Sequence, residues 1–115
     1  MANITEVVVG ATRKDLRVTV VDEFGNPVDI TAGFVRLEAT SEDLPTVEID
    51  EAGTLYDPAN GVAQWAEIGT FVTDADMGSK LEATYVCRVK YTDAAGKFDW
   101  GPKFSLTYVQ APLEV

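Results

Sequence analysis

The stretch LEATYVCRVKY, residues 81–91, alternates between two kinds of side chain along its whole length. Its odd-numbered positions are apolar or aromatic, and its even-numbered positions include Glu82, Arg88 and Lys90. A period of two residues is typical of a β-strand with one face buried and one face in water. We therefore predict a strand over residues 81–91 whose odd-numbered side chains enter a core.

The same alternation recurs elsewhere between turn-forming residues. It covers residues 14–21 and 33–40 clearly, and residues 3–9, 46–49, 62–68 and 98–109 less regularly. In residues 62–68 either face can be the inner one, because bulky Trp65 opposes the face of Val62 and Ile68. Gly25 and Pro27 mark a tight turn, and residues 74–78 form either a helical turn or a loop. The pattern predicts an all-β, immunoglobulin-like antiparallel β-sandwich of about seven to nine strands.

Tyr85 precedes Cys87 by two residues, which is the spacing of the tyrosine corner in immunoglobulin strand F. We expect the Tyr85 hydroxyl to bond an upstream backbone group. Cys87 is the only cysteine, and we expect it to be a small buried apolar residue. Trp65, Tyr56 and Trp100 are also expected in the core. The predicted core contains Leu16, Val18, Val20, Val35, Leu37, Ala83, Tyr85, Cys87 and Val89.

Length and composition predict one folded domain spanning residues 1–115, with short extended termini. The chain is 46% hydrophobic and carries 9 basic against 19 acidic residues, a formal net charge of −10. This balance argues against nucleic-acid partners, which require clustered Lys and Arg, and against anionic membranes. The sequence has no long apolar run and no leader-like N-terminus, so we expect a cytoplasmic protein or part of an assembly built there.

The sequence lacks the residues and motifs on which most catalytic sites depend. It contains no histidine and a single cysteine, which excludes His-dependent triads, His-ligated metals, thiolate zinc clusters and an internal disulfide. No glycine-rich phosphate loop is present. We therefore predict a non-enzymatic protein without a cofactor.

Charge is distributed unevenly along the chain. Residues 37–79 contain no Lys or Arg, whereas residues 80–115 carry five basic and four acidic residues. The acidic segment is either a solvated surface or one half of a contact in which it meets the basic C-terminal strands of another copy. The terminal residues either fray or add a strand to a neighbour's sheet. The predicted interface residues are Glu48, Asp50, Glu51, Pro112, Leu113 and Val115.

Two segments carry a resemblance to a known family. Residues 16–39, LRVTVVDEFGNPVDITAGFVRLEA, contain the pattern D-x-x-G-x-P-V-D-[LI]-T, and residues 85–97 form an aromatic-led strand that turns at T-D-x-x-G-K. These segments resemble the N-terminal immunoglobulin-like domain of baseplate upper proteins of tailed bacteriophages. The acidic residues 41–79 depart from the family pattern.

The resemblance implies a virion structural protein that is assembled in the host bacterial cytoplasm. Such a module docks, in several copies or as a homo-oligomer, on other virion structural proteins of the baseplate, tail, neck or capsid, where it can serve as capsid decoration.

A carbohydrate- or receptor-binding adhesin is the alternative function, and calcium could stabilise such a module. Asp74 and Asp76 form the only Asp-x-Asp pair, with suitable spacing for two calcium ligands. A solvated acidic loop explains the same pair without a metal.

Overall fold

The computed structural model describes residues 4–101 and 103–110. Its strands are β1 (Ile4–Val8), β2 (Leu16–Thr19), β3 (Phe34–Thr40), β4 (Ile49–Ala52), β5 (Thr54–Asp57), β6 (Val62–Trp65), β7 (Glu82–Thr92), β8 (Phe98–Trp100) and β9 (Phe104–Val109). Two short 3₁₀ helices, Pro58–Asn60 and Ile68–Phe71, and one helical turn, α1 (Asp74–Met77), join some of them. None of these helices is long and apolar enough to cross a membrane.

The strands form two sheets. The larger has the order β1-β9-β7-β3-β4, with β8 beside β7, and the smaller has the order β2-β6-β5. All pairs are antiparallel except β1 and β9, which run parallel. The predicted fold class, an all-β sandwich of seven to nine strands, is confirmed. The strand order is consistent with the immunoglobulin arrangement, in which strands B, E and D face strands G, F and C.

The core lies between the sheets, where the alternation of β3 and β7 places it. Val35, Leu37 and Ala39 of β3 are buried, as are the odd-numbered residues 83–91 of β7. The smaller sheet contributes Ala63 and Trp65 to the same cluster, so Trp65 defines the inner face of β6. Of the predicted core, Leu16 and Val18 are only partly buried, because β2 is an edge strand of the smaller sheet.

Three apolar residues that we expected in the core are exposed to solvent. Tyr56 and Trp100 are 53% and 40% exposed, so the prediction that both are core residues is wrong. Leu81 is 79% exposed, because it precedes the start of β7 and the second sheet does not cover it. The remaining large aromatic, Trp65, is buried and donates its Nε1–H to the Glu51 carbonyl at 2.8 Å.

The region between β3 and β6 differs from the prediction. Residues 46–48 lie outside the strands, and two short strands, β4 and β5, follow instead. They belong to different sheets, so the chain crosses the sandwich at Gly53. A β-bulge between Leu55 and Asp57 breaks the alternation of β5. The crossing and the bulge together remove the period-two signal.

Two turns have the same geometry. Asp22 Oδ1 accepts hydrogen bonds from the amides of Phe24 and Asn26, at 2.9 and 3.0 Å. Asp93 Oδ1 accepts from the amides of Ala95 and Lys97 at the same distances. Gly25 and Gly96 occupy the equivalent fourth positions with φ of 83° and 84°, a conformation that a side chain disfavours. Pro27 follows the first turn and forms an isolated antiparallel bridge with Val21.

The family-like motif has a structural explanation at each of these positions. Asp22 and Gly25 form the turn. Asp29 accepts hydrogen bonds from both the amide and the hydroxyl of Thr31, at 3.0 and 2.6 Å, and these bonds lower the pKa of its carboxyl. Ile30 between them is completely buried. The motif therefore specifies the path of the chain from β2 to β3.

Candidate functional site: the outer face of the larger sheet

We define the outer face as the solvent side of β9, β8, β7, β3 and β4. The even-numbered residues of β3 and β7 point to it, because the odd-numbered ones fill the core. Large apolar groups are exposed here, among them Phe34, Val86 and Trp100. Exposed apolar groups among charged ones on one sheet face are typical of a protein-binding surface.

Four charges lie in one row across this face, which we call the charged row. Arg88 of β7 is directly opposite Glu38 of β3, and Glu38 is opposite Asp50 of β4. Lys103 immediately precedes Phe104, which pairs with Cys87, so Lys103 lies beside Arg88. The row therefore consists of two cations followed by two carboxylates.

A cavity of about 420 Å³ opens over the charged row. All four members of the row line it, together with Glu48, Val86 and Trp100. A second cavity, of about 520 Å³, lies on the other side of Trp100 and is lined by Tyr91 and the turn at residues 20–23. The indole of Trp100 thus forms a ridge between two concave surfaces.

Trp100 is surrounded by basic side chains. The Arg88 guanidinium carbon lies 5.5 Å from the centre of the Trp100 ring, and the Lys90 Nζ lies 5.6 Å from it. Both distances are within the range of cation–π attraction. The basic half of the outer face is therefore organised around one half-exposed indole, which is the kind of residue that dominates binding energy at interfaces.

Most of the charged row forms no ion pair with the described residues. Across the described residues the single ion pair is Arg36 with Asp50, at 2.7 Å, and this pair raises the pKa of the Arg36 guanidinium. Arg88, Lys103 and Glu38 have no such partner there. The Arg88 Nε is also shielded from solvent and has no hydrogen-bond partner, which is an unfavourable state for a buried donor.

The predicted interface residues do not all lie on the same surface. Glu48 and Asp50 line the cavity over the charged row. Glu51 lies opposite Leu37, on the other side of the β4 ribbon, and its carbonyl accepts the Trp65 indole. Pro112, Leu113 and Val115 lie outside the described residues. The acidic and basic segments, expected to meet only between copies, lie side by side on one face of one molecule.

The predicted interface residues did not include Trp100, Arg88 and Lys103, although Trp100 was a candidate for a sugar site and the basic C-terminal strands were a candidate contact. Trp100 was placed in the core because strand aromatics usually lie there. The register of β8 instead pairs it with outward-facing Lys90. The hairpin turn at residues 93–97 places Trp100 opposite a basic residue. This pairing is the signal from which its outward position could have been predicted.

One of the two calcium candidates, Asp76, has a structural role. Asp74 and Asp76 lie in the first turn of α1, and the Asp76 carboxylate accepts the Thr73 amide at 2.9 Å as part of a capping box. In the described part of the chain, no three His, Cys, Asp or Glu side chains are grouped to hold a metal ion. Asp76 is therefore engaged in helix capping.

Tyr85 and Cys87 lie in the core. Tyr85 donates its hydroxyl to the Val47 carbonyl at 2.7 Å, a residue 38 positions upstream in the loop between β3 and β4. The prediction that this hydroxyl bonds an upstream backbone group is confirmed, although a tyrosine corner bonds a group only a few residues upstream. The bond anchors the acidic loop to β7, as does the Asp43 carboxylate, which accepts the Thr84 amide at 2.9 Å.

Burial changes the acidity of the core groups. Desolvation raises the pKa of both the Tyr85 phenol and the Cys87 thiol to about 12, because it disfavours the charged form. It also raises the pKa of Tyr108, whose hydroxyl donates to the Ile68 carbonyl at 2.8 Å. Cys87 is consequently a protonated, unreactive thiol at neutral pH.

Comparison with known proteins identifies a similar solved structure. No family model matches the chain, and neither does any curated protein sequence. Among solved structures, the N-terminal domain of phage TP901-1 ORF48 is similar, with a TM-score of 0.53 and 10% sequence identity. The similarity covers 96% of this chain and 86% of that one. The chain therefore shares the β-sandwich fold of the N-terminal domain of phage TP901-1 ORF48.

Proposed function

We propose that the protein is a non-enzymatic bacteriophage structural module that docks on other virion proteins through the outer face of its larger sheet. The observation that carries the proposal is the fold shared, over nearly all of both chains, with a domain of phage TP901-1 ORF48. The motif at residues 22–31 and the hairpin at residues 85–97, which resemble baseplate upper proteins, support the same role. The baseplate is the proposed location, ahead of tail, neck and capsid.

The outer face supports a docking role in its own chemistry. Trp100 can anchor a partner, and Arg88 and Lys103 can pair with its carboxylates. Non-enzymatic action is supported by the absence of histidine from the sequence and by the high pKa of Cys87.

Incorporation into particles tests this function. The phage that encodes the chain is grown with parent, Trp100→Ala or Tyr56→Ala, and density-purified particles are analysed by quantitative mass spectrometry. Tyr56 is the matched control, since it is an exposed aromatic on the smaller sheet. We expect parent and Tyr56→Ala in particles and a large reduction for Trp100→Ala. Equal incorporation of all three would overturn the docking face, and absence of the parent would overturn the virion role.

An adhesin is the second candidate function, because an exposed indole beside polar groups also suits a sugar ring. It predicts that the purified protein binds host cells and that soluble cell-wall glycan competes with this binding. Binding that is lost in Trp100→Ala and retained in Tyr56→Ala would favour the adhesin.

A further inference from the structure

We infer that the outer face is a homotypic interface, in which a second copy of this chain docks face to face about a two-fold axis parallel to the strands. The inference deepens the proposed structural role by naming the first partner, and it rests on that role only for its biological purpose. Its physical basis is the order of charges across four neighbouring strands.

In the rows that β7 shares with β3, the charges separate by column. Glu82, the first residue of β7, lies beyond these rows. Lys103, Arg88 and Lys90 lie on the β9–β8 and β7 side, and Glu38, Asp50 and Glu48 lie on the β3 and β4 side. Arg36 is the one cation on the acidic side, and it is bound to Asp50. The boundary between the two halves runs between β7 and β3, parallel to both strands.

This layout selects one symmetry. A two-fold axis in the interface plane and parallel to the strands exchanges the columns, so β7 of one copy covers β3 of the other and β9 covers β4. Arg88 then faces the second copy's Glu38, and Lys103 faces its Asp50. An axis perpendicular to the strands would place every column over itself, with cation over cation. Like charges in contact are strongly unfavourable at an interface, so the first axis is the one the charges favour.

The apolar groups fit the same axis. Trp100 is opposite Lys90, Lys90 is opposite Arg36, and Arg36 is opposite Ala52. Exchange of columns therefore places the indole over Ala52 of the second copy, which is a small, exposed residue at the sheet edge. It also places Lys90 over the second copy's Arg36, the cation that is already paired with Asp50. In the row on the other side of the charged row, exposed Val86 covers Thr40 of the second copy. Trp100 and Val86 thus both meet small residues, as complementary sheet packing requires.

The area of the outer face limits the strength of the proposed dimer. Four strands at about 4.8 Å spacing and about seven residues in length cover roughly 400 Å² per copy, or about 800–1,000 Å² in total. Interfaces below about 1,200 Å² are weak or transient. We expect a dimer with a dissociation constant of roughly 10–500 μM, which an assembly of many copies would strengthen through multivalency.

Charge-reversal variants test the inference. Their dimerisation is measured by sedimentation velocity of the purified chain at about 0.15 M salt. One variant carries Glu38→Lys and Asp50→Lys, and the other carries Arg88→Glu and Lys103→Glu. Each makes the row uniform in sign, so each alone should dimerise roughly tenfold or more weakly than the parent. Mixed at equal concentration, they should form a one-to-one heterodimer, because both facing pairs are again opposite in sign.

A control separates this effect from net charge. Glu42→Lys with Glu67→Lys changes the net charge as the first variant does, at exposed positions away from the row, and should dimerise like the parent or better. Far-UV circular dichroism confirms that every variant is folded. A parent that stays monomeric at about 1 mM, or a mixture that fails to associate, would overturn the homotypic interface. If that parent still enters particles, the virion role stands and the face binds a different virion protein.

Discussion

Tyr85→Phe tests how the acidic loop is held to the core. The substitution removes one hydroxyl that donates to the Val47 carbonyl at 2.7 Å, and leaves a completely buried ring in place. A net hydrogen bond contributes about 1 kcal/mol, and an acceptor left without water costs up to about 3 kcal/mol. Val47 is only half-buried, so water can reach its carbonyl. We therefore expect a loss near the lower value, about 1 kcal/mol.

Equilibrium unfolding in urea, followed by the fluorescence of buried Trp65, measures this loss. The midpoint should move to lower urea without a change in slope, and the melting temperature should fall by roughly 3–6 °C for a domain of this size. Tyr56→Phe is the matched control, because its ring is exposed and no hydrogen bond of its hydroxyl is described. If the Tyr85→Phe and Tyr56→Phe midpoints coincide, the Tyr85 hydroxyl does not hold the loop and the reasoning is refuted.

Three further predictions concern stability. Because burial raises the pKa of Cys87 from 9.0 to about 12, the unfolded thiol ionises first. The contribution of this thiol to stability should therefore be constant below about pH 8 and decrease between pH 9 and 12. Stability should fall less steeply in Cys87→Ala, as urea midpoints across this range will show. Gly69→Ala should lose more than about 2 kcal/mol, because the new methyl group would collide with the backbone of Ala11 and Val8. Gly101→Ala meets only ordinary contacts and should melt near the parent temperature. Arg36→Gln should change the melting temperature little in the same melts, since the ion pair with Asp50 is largely exposed.

The fold could be predicted from the sequence where alternation was unbroken. Residues 33–40 and 81–91 pair with each other along their length, Val35 with Tyr91 and Ala39 with Cys87, and their apolar faces form the centre of the core. Residues 46–57 could not be predicted in this way, since the chain changes sheets at Gly53 and bulges after Leu55. Local patterns do not record a change of sheet.

The candidate site was only half visible in the sequence. Glu48 and Asp50 stood out as part of a segment without bases, and they do line the cavity on the outer face. Their basic neighbours, Arg88 and Lys103, come from strands 38 or more residues later in the chain. They reach the same row only through the registers of three strand pairs, which composition and spacing do not determine.

Cross-linking mass spectrometry on purified particles tests the central claim, a structural role in the virion, most directly. With an amine-reactive reagent, the account predicts that the chain is recovered with the particles and that Lys90 or Lys103 is linked to a second copy or to another virion protein. Lys14, beside the smaller sheet, should give fewer such links. A chain confined to the lysate supernatant, with no link to any virion protein, would contradict the account.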